Sequence, residues 1–143
     1  MRRIRKDRWQ DAFWATLLIE ARSPFAWGTA DCVLKAARVA DSTLVEPVLE
    51  SLARSSFAWH DEASAVDALI EAGGLLAAVS AVLGPSVPWT RLTQGDLLLC
   101  RTGLTEPGRD LCVAVHDGVD PIAFVGDVMR PLPWRLVECG WEV

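Results

Sequence analysis

The sequence contains no tyrosine and only two histidines, His60 and His116. Two histidines leave few candidates for a general base. No run approaches the ~20 apolar residues that a membrane span requires, so no membrane-spanning segment is expected. The four cysteines, Cys32, Cys100, Cys112 and Cys139, form no close Cys-x-x-Cys pair. That spacing argues against a structural zinc site. A basic footprint is also missing. The formal net charge is −5, which argues against nucleic-acid binding.

The N-terminus alone is basic, with Arg2, Arg3, Arg5, Lys6 and Arg8 clustered. Such a cluster serves either as a tail that docks on an acidic partner or membrane surface, or as the solvated first turn of a helix. The second use is the commoner. The apolar residues that follow are interrupted by Asp11, Glu20 and Arg22, unlike those of a secretory signal. The expectation is a signal-free chain made in the cytoplasm, where disulfides are rare. Cys100, Cys112 and Cys139 then read as buried small hydrophobes.

Against these absences stand 143 residues, of which 51% are hydrophobic and 23% charged. This suits one folded domain spanning 1–143. No repeat or linker divides it. Tryptophan occurs seven times, which suits core and interface anchoring before sugar stacking. Trp9, Trp59 and Trp89 are expected to be exposed.

Apolar spacing predicts an amphipathic helix over 3–21, ended by Ser23-Pro24. Asp31 is placed to cap a second helix over 32–40. Further helices are expected over 47–54, with Pro47 in its first turn, to residue 72 after Asp61 as cap, with Val66, Leu69 and Ile70 inward, and over 75–83. After Pro88 the pattern changes to short apolar runs between turns. Strands are expected at 97–100, 111–116, 121–125 and 140–143, with a helical turn near 134–137. Helices first and strands second predict an α+β fold with an antiparallel sheet.

Cys32 follows the capping residue directly, at a helix N-terminus that favours an anion. The loop before it can offer N–H groups to a developing oxyanion. The charge of Asp31 opposes a thiolate beside it. The plainer reading is a small residue packed between helix and sheet.

The segment Phe25-Ala26-Trp27-Gly28-Thr29-Ala30-Asp31-Cys32 resembles the stretch that carries the nucleophile in NlpC-type, papain-like cell-wall peptidases. Gly95-Asp96-Leu97-Leu98-Leu99 resembles that family's Gly-Asp strand, and Cys112-Val113-Ala114-Val115-His116-Asp117-Gly118 the strand after it. Ile122-Ala123-Phe124-Val125-Gly126 and Trp141-Glu142-Val143 resemble further features of small relatives encoded by phages and gene transfer agents among their tail-tip genes. The resemblance implies a papain-like fold, a place in the virion tail or baseplate, and other tail-tip or hub proteins as partners. It implies Cys32 as nucleophile, His116 as base, a peptidoglycan peptide as substrate, and no cofactor or metal.

One departure matters. The family's catalytic histidine begins the strand, and that position falls here on Cys112. His116 shares its face but lies about 13 Å further along at ~3.3 Å per residue. A nucleophile and its base must be in hydrogen-bond reach, so Cys112 near Cys32 would leave two thiols together instead. His60 reads as a surface residue, and Asp96 and Asp127 as turn residues. Two functions follow: a tail assembly or docking module degenerate in its catalytic histidine, or an active cysteine peptidase or amidase.

Overall fold

The computed structural model describes residues 2–106, 108–125 and 127–143. Among these described residues five α-helices come first: α1 (Trp9–Arg22), α2 (Cys32–Asp41), α3 (Leu49–Ser56), α4 (Glu62–Ala72) and α5 (Leu75–Leu83). Five strands follow: β1 (Leu97–Arg101), β2 (Leu111–His116), β3 (Pro121–Val125), β4 (Val128–Pro131) and β5 (Val137–Trp141). They form one antiparallel sheet in the order β4-β3-β2-β1-β5. The arrangement is α+β, with helices N-terminal to an antiparallel sheet. Among the described residues, no single helix is long and apolar enough to cross a membrane.

Both faces of the sheet are buried. Leu97, Leu99, Val113, Val115, Ile122 and Phe124 face the helices. Leu98, Cys100, Cys112, Ala114 and Ala123 face a second, smaller core closed by Leu92, Val137 and Trp134. Burial on both sides is why β1 and β2 read as continuous apolar runs rather than as alternations. Cys100 and Cys112 are buried, as cross-strand partners, while Cys139 is half-buried.

Several boundaries differ from the sequence pattern, each for a tertiary reason. Helix α1 begins at Trp9, not near residue 3, because Arg5 pairs with Leu44 as a β-bridge and a turn at Asp7-Arg8, with Arg8 at φ 53°, separates that segment from the helix. Arg2 and Arg5 reach across to Asp96, which a helical first turn would not allow. Pro47 precedes α3 rather than opening it. There Asp41 caps from a distance, accepting from the amides of Leu49 at 2.8 Å and Glu50 at 2.9 Å.

Helix α4 turns Ala65 and Leu69 inward and leaves Ile70 exposed, a rotation that the small Ala65 permits by close packing. Strand β4 is only four residues long, mostly exposed and ends in a proline, so it escapes a search for buried apolar runs. Strand β5 starts earlier than expected, directly after the turn Trp134–Leu136. The expected turn at Gly126-Asp127, and the glycine that ends the 122–126 resemblance, involve a residue outside the described ones.

Candidate active site

The loop before Cys32 is built by its own hydrogen bonds. The amides of Ala30 and Thr29 both donate to the carbonyl of Ala26, at 2.7 and 3.2 Å, and Ala26 donates back to Ala30. Gly28 sits at φ 79°, where a Cβ would lie 2.1 Å from the carbonyl oxygen of Trp59. Only glycine satisfies both conditions.

Asp31 is fully buried and saturated with donors. Its Oδ1 accepts from the Leu34 amide at 3.0 Å, capping α2. Its Oδ2 accepts from the Gly28 amide at 2.9 Å and from the indole Nε1 of Trp59 at 2.7 Å. One carboxylate thus joins loop, helix and the chain before α4. This is why Trp59, expected on the surface, is buried. Trp89 is exposed and Trp9 half-buried.

Cys32 opens α2, half-buried, and touches both cores of the molecule. It can do so because the pairing of β2 with β3 stops at Ala114 and Ala123. Beyond that point Val113 directs its N–H away from β1 and finds no strand partner. This amide, with the backbone amides of Val33 and of Cys32 itself, acts on the Cys32 thiol in the direction that favours its ionised form. The thiol therefore plugs the fork between the two strands.

Those three amides favour a thiolate, yet burial, followed by the charge of Asp31, outweighs them. The Cys32 thiol is pushed up to about 11. Burial likewise pushes Cys100 up to about 12 and raises Cys112, whose neighbours Cys32 and Cys100 add to the effect. Such thiols are held in the protonated, weakly nucleophilic form at neutral pH. The loop amides of Gly28, Thr29 and Ala30 are spent on Asp31 and Ala26, which takes them from any oxyanion.

His116 lies at the opposite end of β2. Its ring packs edge-on against Trp134 at 5.0 Å, and Trp134 in turn contacts Trp89 at 5.2 Å. Its Nδ1 accepts from the Gly118 amide at 2.9 Å, which fixes the neutral tautomer with hydrogen on Nε2. Burial holds the imidazole below its ordinary value, although Asp96 and Asp117 pull the other way. Cys32 and His116 thus occupy separate surroundings, one against Val113 and the other against Trp134. Cys112, rather than a histidine, stands near Cys32.

His60 is a surface residue beside Asp61, at 3.5 Å. Asp127 is exposed and accepts from the Phe25 amide at 2.6 Å. Asp96 is more than a turn residue. It is fully buried, and accepts from Thr93, Val143 and Arg2. Lys35, one turn after Cys32, is buried and donates to the carbonyls of Glu20 and Ser23 at 3.0 and 2.5 Å, closing the end of α1. Its charge within an Ala-rich helix face was the one available signal of that role. Among the described residues, no group of three His, Cys, Asp or Glu is placed to hold a metal ion.

A family model matches residues 4–143, and the chain belongs to that family, described as a domain of unknown function, DUF6950. No curated protein and no solved structure matches it.

Proposed function

We propose that the chain is a tail-tip or baseplate protein of a phage or phage-like particle, using a papain-like fold for assembly or docking rather than for hydrolysis. The resemblance of the 25–32 segment motivates the setting. The observation that carries the non-catalytic reading is the pairing at the fork: Cys32 faces the Val113 amide and Cys112, while the imidazole of His116 is turned to Trp134. A thiol raised to about 11 with no base beside it is a poor nucleophile. In this reading Asp31, Gly28 and Trp59 stabilise the scaffold, and the partners are other tail-tip or hub proteins.

The alternative is a working cysteine peptidase or amidase on peptidoglycan peptides. The three amides around the Cys32 sulfur are the feature that favours it. Incubation of the purified chain with peptidoglycan sacculi separates the two. The expected result is no muropeptide release above that of Cys32→Ala. Release that disappears in both Cys32→Ala and His116→Ala would establish the enzyme.

A further inference from the structure

Helix α1 buries Phe13, Leu17 and Glu20 and presents its other side to solvent. That outer side is apolar where a surface helix would be polar. Trp14, Leu18 and Ile19 are 43%, 51% and 62% exposed. Apolar clusters of this kind on one helix face mark interaction sites more often than isolated exposed residues do. The cluster is bounded by Asp11 in the first turn and Arg22 in the last.

The order of these residues has a symmetry of its own. At 3.6 residues per turn, Asp11, Ala15, Leu18 and Arg22 fall on one stripe along the helix. Asp11 and Arg22 are equidistant from the point between Thr16 and Leu17, and so are Ala15 and Leu18, and Trp14 and Ile19. A two-fold axis through that point, perpendicular to α1, sets a second copy of the helix antiparallel to the first. Asp11 then stands level with Arg22 of the second copy, and Leu18 with the small Ala15 of the second copy. Trp14 borders the seam on one side and Ile19 on the other, each near its own symmetry mate. Charge meets opposite charge, and large meets small.

We infer that the outer face of α1 is a self-complementary interface through which two copies of this chain pair about a two-fold axis. Closed isologous pairing of this kind requires one surface to complement itself, which this stripe does. In the single chain Asp11 already has Arg8 at 2.9 Å, both exposed. That contact is a weak one and leaves the carboxylate able to meet Arg22. One helix face buries less than the ~1,200 Å² of a standard interface, so the dimer is reversible. The inference rests on the helix surface alone and is independent of the reading of Cys32.

Sedimentation velocity on the full chain over a wide concentration range tests it. The expected result is a monomer–dimer equilibrium that Leu18→Arg abolishes. Asp11→Arg and Arg22→Asp should each weaken pairing by about five-fold or more, since each places like charges at two symmetry-related contacts. The double variant Asp11→Arg/Arg22→Asp should restore it to within about three-fold of wild type. All three positions are on the exposed face, so unchanged circular dichroism is expected for every variant. A monomer at all concentrations, a dimer insensitive to Leu18→Arg, or a double variant no better than the singles would overturn the inference.

Discussion

Nη1 of Arg2 lies 2.6 and 2.7 Å from the two carboxylate oxygens of Asp96, a residue 94 positions away and fully buried. Arg5 approaches the same carboxylate at 3.4 Å and lays its guanidinium over Trp9 at 4.6 Å. The basic N-terminal run is thus split: two of its arginines are structural partners of the Gly95-Asp96 turn. Removing Asp96 strands the buried Val143 amide and the Thr93 amide as well as these arginines. Asp96→Ala should cost about 3 kcal/mol, read as a drop in urea midpoint. Arg2→Ala, with a partly exposed side chain, should cost about 1 kcal/mol or less. Equal losses for the two would refute this account of the arm.

Asp31 offers a second test. Asp31→Ala removes a helix cap and also orphans the Trp59 indole and the Gly28 amide. The expected loss is about 3 kcal/mol, above the ~1 kcal/mol of a cap alone. Trp59→Phe, which removes one donor and keeps the ring, should cost about 1 kcal/mol. Chemical denaturation of both variants measures the difference.

Cys32 should resist alkylation. With the thiol raised to about 11 by burial and Asp31, its thiolate at pH 8 is scarce. Iodoacetamide labelling, followed by mass spectrometry, should proceed on the order of a hundred-fold slower than for a free cysteine. The linkage has a definite sign: a proton held more tightly in the folded state stabilises the fold below the unfolded pKa near 8.5. That stability is lost as pH rises toward about 11. Cys32→Ala should flatten the alkaline part of the curve.

His116 acts at the other end of the scale. Its folded value is depressed, so its contribution is complete above the unfolded pKa of ~6.5 and declines as pH falls through the lower folded value. Protonation at Nδ1 also removes the acceptor for the Gly118 amide. The urea midpoint should therefore be lower at pH 5.5 than at pH 7.5. In His116→Gln, the part of that difference due to His116 should vanish. An unchanged pH dependence in the variant would reject this assignment.

Much of the architecture was legible in the chain itself. Asp31 before a helix of small residues, the switch from helical spacing to short apolar runs, and Asp117-Gly118 between β2 and β3 all describe local conformation, which neighbouring residues dictate. Strand β4 was not legible, because a four-residue, largely exposed edge strand that ends in a proline carries too short a pattern to stand out. Nor was the start of α1, because Arg2 and Arg5 obey a carboxylate some ninety positions away. From the chain alone His116 was expected to stand away from the Cys112 position, since four residues on one strand span about 13 Å. Only the tertiary structure decided what surrounds Cys32: a fork where β2 and β3 part, a Val113 amide without a strand partner, and a burial cost for the thiolate greater than the amides repay. Desolvation and long-range pairing depend on the whole packed molecule, and no spacing of residues along the chain encodes them directly.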